Sequence, residues 1–175
     1  MEYTAEDLVS HRLQRVGVLV AKPKFDQLGT DLIGLVGVTD NAKFCRIQCK
    51  GRSLLNSPTA RVEIPRGYAS DAFVAFLYVD TGNPTETHLF CFTGDDIRKW
   101  KGDAENYCLN ISRSTFVTEL AAFSFTEQRA ALVKKLIIGV GAVGQFNTAN
   151  YGYVESSLGG ISASLSGTFK PKSDT

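Results

Sequence analysis

Apolar and polar positions alternate along the chain with two different periods, and the switches between them mark out the elements. From Thr4 to Arg15 the apolar residues Leu8, Val9, Leu13 and Val16 recur at helical spacing. Thr4 with Asp7 three residues on forms a capping box for that helix, and Gly17 ends it. The pattern then turns strand-like. Val18 to Lys22 is a short strand stopped by Pro23, and Asp31 to Val38 is an apolar one. Asp40-Asn41 is a tight turn, and Phe44 to Lys50 is the returning strand, so residues 31–50 read as a β-hairpin. Arg61 to Ile64 is a further short strand. Ala72 to Val79 and Thr87 to Phe92 form a second hairpin around Asp80-Thr81-Gly82-Asn83-Pro84. Gly94 to Trp100 reads as one or two helical turns, Tyr107 to Ile111 as an edge strand and Ser112 to Phe123 as helical. Ser124 and Glu127 cap a clearer helix, Thr126 to Ile138, with Ala130, Val133 and Ile137 on one face.

Helix, strand, hairpin, further strands and helices in that order give an α/β or α+β fold with a mixed central sheet. After Gly139 the composition shifts to Gly, Ser, Thr and Asn, which divides the chain into a folded domain over 1–138 and a C-terminal segment over 139–175. Two readings of that segment stay open: a poorly ordered tail, or a stretch that packs through Tyr151, Tyr153, Leu158 and Phe169. Gly139 to Gly144 matches GxGxxG. A dinucleotide fingerprint needs a strand before it and a helix after it, and here the preceding run reads as the end of a helix.

With 175 residues, 43% hydrophobic and 21% charged, the chain is long and apolar enough for one domain with a real core. A formal net charge of +1 excludes a histone-like polycation, although the charge is uneven. Residues 1–70 carry 10 Lys/Arg against 7 Asp/Glu, and residues 71–175 carry 9 against 11. Within 43–66, Lys43, Arg46, Lys50, Arg52, Arg61 and Arg66 face one acid, Glu63, which suits an anionic partner or a guarded sheet edge. The four cysteines, Cys45, Cys49, Cys91 and Cys108, form no CxxC and lie in strand-like runs, so they read as buried free thiols rather than zinc ligands. His11 reads as a surface or partly packed side chain. The acidic start is no signal peptide and no apolar run spans a membrane, which points to a reduced, cytoplasmic protein.

The candidate chemistry lies on the first hairpin. In Phe44 to Lys50 one face carries Arg46, Gln48 and Lys50 and the other Cys45, Ile47 and Cys49. The second set packs inward, and the first faces something wet or charged. Asp31 and Lys50 lie about equally far from the Asp40-Asn41 turn, so pairing brings Asp31 beside the Gln48–Lys50 segment. Carboxylate and amide oxygens suit a hard cation, and an ammonium can orient a water or neutralise a phosphate. Together these groups suit metal-assisted phosphodiester hydrolysis.

On these residues the chain resembles the PD-(D/E)xK nuclease superfamily, in a prokaryotic branch whose third motif is Gln-x-Lys. The segments that carry the likeness are Glu6 to Gly17, Val20-Ala21-Lys22-Pro23, Gly29-Thr30-Asp31-Leu32-Ile33 and Arg46-Ile47-Gln48-Cys49-Lys50. Phe76-Leu77-Tyr78-Val79 and the run Phe90 to Trp100 are similar as well, so the resemblance covers roughly residues 4–120. It implies a restriction-endonuclease-like core, a four-stranded mixed sheet flanked by helices, and an endonuclease acting on DNA. By the same resemblance Asp31, Gln48 and Glu6 hold Mg²⁺, with Mn²⁺ as a substitute, and Lys50 positions the attacking water. Gln48 stands where Asp or Glu is usual, which leaves open a degenerate module that binds nucleic acid or a protein without cutting. Asp7 reads as the capping acid and Asp26 as a loop acid. Lys22, Lys24, Arg46 and Arg52 would flank the site and hold nucleic-acid phosphates. Cutting two strands needs two sites, which implies a homodimer or higher homo-oligomer, with the C-terminal helix and tail as its surface.

Overall fold

The computed structural model describes residues 2–24, 29–37, 42–147, 152–158 and 161–167. Helix α1 (Glu2–Arg15) starts earlier than the sequence suggests, so Thr4 and Asp7 lie inside the helix rather than forming its capping box. Its first turn is anchored by packing instead. Ala5 is fully buried, and the ring of Tyr3 lies 4.8 Å from the Lys22 ammonium. Ala5, Val9 and Leu13 form the buried stripe, with Leu8 and Val16 partly covered beside it. Gly17 follows at φ 77°, a left-handed conformation that glycine adopts without cost.

Strands β1 (Leu19–Ala21), β2 (Leu32–Val36) and β3 (Ala42–Ser53) then pair antiparallel in succession. The turn expected at Asp40-Asn41 lies outside the described residues, as do Asp26, Tyr151 and Phe169. Strand β4 (Thr59–Pro65) and a 3₁₀ turn (Arg66–Tyr68) lead into β5 (Phe73–Asp80), which runs parallel to β3. Strand β6 (His88–Thr93) pairs antiparallel with β5. Helix α2 (Gly94–Arg98) opens on a capping box between Thr93 and Asp96. Strands β7 (Lys101–Gly102) and β8 (Asn106–Ser112) follow. The stretch expected to be helical from Ser112 is two short pieces, α3 (Phe116–Glu119) and a 3₁₀ turn (Ala121–Phe123). Helix α4 (Glu127–Val140) is capped by Thr126, whose hydroxyl accepts from the Arg129 amide, and not by Ser124. Its buried residues are Ala130, Val133 and Ile137, as the pattern indicates.

Three further strands lie in the C-terminal segment: β9 (Ala142–Asn147), β10 (Gly152–Leu158) and β11 (Ile161–Gly167). Gly139 to Gly144 therefore spans the end of α4 and the start of β9, the reverse of the order a dinucleotide site needs. Strand β9 pairs with the start of β3, giving an eight-stranded sheet among the described residues. The architecture is α+β, a mixed sheet flanked by helices.

The sheet has a different cover on each face. Helices α1 and α4 pack on one, over Ile47, Cys49, Val74, Phe76 and Cys91. The other is covered by a separate three-stranded antiparallel sheet, β4-β8-β7, with Ile97 of α2 and Phe116 of α3, over Phe73, Ala75, Leu77, Phe90 and Phe92. Strand β8, expected at an edge, is the central strand of that small sheet, between β4 and β7. Cys45, Cys49, Cys91 and Cys108 are buried free thiols. Among the described residues no helix is long and apolar enough to cross a membrane.

Candidate active site where β3 outruns β2

Strand β3 is much longer than its neighbour β2, and this difference creates the site. The β2 ladder stops at Leu32 opposite Ile47. On the opposite edge of β3, β5 pairs with Arg46 to Ser53. The Cys49 amide therefore lies beyond the end of the β2 ladder and needs another acceptor. Asp31 supplies it. Its own amide donates to the Ile47 carbonyl at 2.9 Å, and its Oδ2 accepts from the Cys49 amide at 2.6 Å. The carboxylate is thus fixed on β3 backbone between Gln48 and Lys50, where the hairpin symmetry leads one to expect it.

Gln48 and Lys50 project on the face of the sheet under the small β4-β8-β7 sheet. Their partners on β5 are Ala75 and Leu77, both members of that core. The polarity of this face leads one to expect it wet; Arg46, Lys50 and Arg52 are partly exposed, but Gln48 is not. Gln48 is only 4% exposed, because Tyr68 and the Gly29 turn cover it. Gly29 has φ +63°, and a Cβ there would stand 2.5 Å from Gln48 Nε2 and 2.7 Å from the Tyr68 ring. Only glycine gives the loop so close an approach. Gln48 Oε1 is buried and meets no hydrogen-bond donor among the described residues. Leaving such an acceptor unsatisfied costs about 1–3 kcal/mol. Lys50 is half-buried and forms no hydrogen bond or ion pair among the described residues.

Glu6 reaches the same end of β2 from the opposite face, on α1. With Tyr3, Lys22, Pro23, Lys24, Thr30 and Asp31 it lines a cleft of about 270 Å³. Gln48 and Lys50 do not line that cleft; they connect to it through the Asp31–Cys49 bond. Glu6 Oε2 accepts from the Lys22 ammonium at 2.5 Å, with the two side chains 12% and 55% exposed. The hydrogen bond to Glu6, with the charges of Glu6, Tyr3 and Asp31, raises the Lys22 pKa above its ordinary value.

The two arginines expected on phosphate are bound to protein atoms. Arg46 donates to the Tyr68 carbonyl at 2.9 Å and to Ser70 Oγ at 3.4 Å, and lies 5.3 Å from the centre of the Phe73 ring. Burial lowers its pKa from the ordinary value. Arg52 donates to the Arg61 and Gly51 carbonyls, each at 2.8 Å. Both tie β3 to the layer above it. Lys22 and Lys24 stay on the cleft rim.

Tyr3 and Thr30 also line the cleft, and sequence reasoning passed over both. Tyr3 stands three residues before Glu6, a spacing that shares a helix face, but an expected start at Thr4 hid it. Among the described residues no three or more His, Cys, Asp or Glu side chains converge as a metal site. The two carboxylates of the cleft, Glu6 and Asp31, with the Thr30 hydroxyl beside them, are nonetheless hard oxygen donors of the kind Mg²⁺ or Mn²⁺ accepts, and the cleft already attracts an ammonium, so its residues fit such an ion.

No protein-family model matches the chain, and no curated protein matches it. Among solved structures it is similar to that of Hjc, a Holliday junction resolvase from the archaeal hyperthermophile Archaeoglobus fulgidus. The identity is 13%, over 72% of this chain and 98% of that one, with a TM-score of 0.39.

Proposed function

We propose that the protein is a metal-dependent endonuclease that hydrolyses phosphodiester bonds in DNA. One observation carries the reading: the Asp31 carboxylate is pinned to the β3 backbone between Gln48, whose buried amide oxygen meets no donor among the described residues, and the half-buried Lys50, which forms no ion pair among them. A buried acceptor without a donor calls for an explanation, and a bound ion beside it is one. Glu6 and Asp31, which share the cleft, would hold Mg²⁺, with the Gln48 amide behind Asp31 on the other face; the ion would supply polarisation of a phosphoryl oxygen and a more acidic water. Lys50 orients the water and meets the negative charge that grows on the phosphate as it is attacked. Lys24 and Lys22, at the cleft rim, hold the flanking phosphates, so binding weakens steeply with salt.

A second reading, a module on this fold that binds nucleic acid or a protein without cutting, is favoured by the neutral Gln48 and by the Lys22 ammonium on Glu6. The same experiment separates the two. Purified protein is incubated with supercoiled, linear and single-stranded DNA in Mg²⁺ or Mn²⁺, with chelator and Lys50→Ala as controls. The nuclease reading expects cutting that both controls abolish. Salt-sensitive DNA binding with no cutting on any substrate would replace it with the binding module. Cutting that survives Lys50→Ala would remove Lys50 from the mechanism.

A further inference from the structure

We propose that Lys22 is a tethered counter-cation that occupies the carboxylate cleft and that a divalent ion must displace in order to bind. The proposal rests on the metal-site reading above and adds a competitor to it. The Lys22 ammonium sits 2.5 Å from Glu6 Oε2, in the cleft that Glu6 shares with Asp31. The Tyr3 ring lies 4.8 Å from the same ammonium, so it is held by a carboxylate and an aromatic face together. A divalent ion drawn by Glu6 and Asp31 would enter this space. Two cations at one carboxylate repel each other, and the one with two charges gains more from the pair of acids.

The chain around Lys22 makes displacement easy. Lys22 follows directly after β1 and precedes Pro23, whose ring fixes the backbone at the cleft wall. The side chain is more than half exposed and has four rotatable carbons, so the head can leave while the backbone stays. Beside it at the rim is Lys24. A displaced Lys22 head is therefore available for an anion such as a backbone phosphate. Metal binding and polyanion binding then favour each other, because the ion frees the Lys22 head for a phosphate and a phosphate that holds the head leaves Glu6 open to the ion.

The test is direct titration of Mn²⁺, followed by the loss of the free-ion electron paramagnetic resonance signal and by calorimetry. It uses the full chain, wild type against Lys22→Met and Lys22→Gln, with folding checked by circular dichroism. Removing the competitor should tighten Mn²⁺ binding about two- to fivefold in both variants. Wild type that binds Mn²⁺ with variants that bind equally or more weakly would overturn the proposal and leave the metal site standing. No Mn²⁺ binding by any of the three would overturn the metal-site reading and the proposal with it.

Discussion

At its centre β3 is buried on both faces, and the two faces solve burial in opposite ways. Ile47 and Cys49 on one face are as inaccessible as Gln48 on the other. The first face is apolar and meets α1 and α4, so every contact adds dispersion and desolvation in the same direction. The second face carries an arginine, an amide and a lysine under an aromatic cover. Among the described residues Arg46 finds side-chain hydrogen-bond acceptors, the Tyr68 carbonyl and Ser70, and Gln48 Oε1 finds no donor. Burial by itself is thus no sign of structural duty. On the Ile47 face it holds the fold together, and on the Gln48 face it keeps polar groups away from bulk water while leaving some of them unsatisfied.

The sharpest way to break this comparison is to damage each face and read stability and activity separately. Phe76 is fully buried on the apolar side and meets Phe125 edge-on at 4.7 Å between ring centres. Phe76→Ala should lower unfolding free energy by about 3–5 kcal/mol in urea titrations. Its residual folded fraction should cut DNA at the wild-type rate.

On the other side Asp31→Asn keeps an oxygen for the Cys49 amide but removes the charge. It should lose cleavage on the order of 10²- to 10³-fold, as should Lys50→Ala, with melting temperatures close to wild type. A large fall in melting temperature for Asp31→Asn, with cleavage retained, would make Asp31 a backbone cap and nothing more.

How far the sequence led depends on how local each feature is. The β2–β3 pairing and the approach of Asp31 to Gln48–Lys50 follow from strand alternation and equal distance from one turn, both short-range. The cover on Gln48 does not. It comes from Tyr68 and Gly29, far apart in the chain, and from β4 pairing with β8 nearly fifty residues later, with Val62 opposite Leu109. Alternation says which side chains share a face but not what lies above that face. The Lys22–Glu6 pair is equally invisible in a linear pattern. Its two residues sit on different elements, and helix α1 starts a little earlier than its polar residues indicate.

The thiols give a smaller, pH-dependent effect that belongs to the apolar side alone. Burial pushes Cys45 from about 9 up to about 12 and Cys91 upward as well. Below pH 9 the folded and unfolded chains both keep these protons, so nothing changes. Above it the unfolded chain loses protons that the folded chain retains, and unfolding becomes easier as pH rises. The slope approaches about 1.4 kcal/mol per pH unit for each thiol. Urea midpoints at pH 8, 9 and 10 should fall over the last step, and Cys45→Ala should flatten that fall.

The smallest effect is the most telling one, because it sets stability against activity at a single residue. Gln48 Oε1 is buried and meets no donor among the described residues, at a cost that an apolar side chain of similar shape does not carry. Gln48→Met fills the same space under Tyr68 with a flexible thioether. It should raise unfolding free energy by about 1 kcal/mol in urea while abolishing cleavage and weakening Mn²⁺ binding. A residue kept solely for packing would give the opposite pair: no gain in stability and no loss of function. A destabilised but active Gln48→Met protein would mean that the amide is satisfied in solution, and the case for a ligand at that oxygen would fall with it.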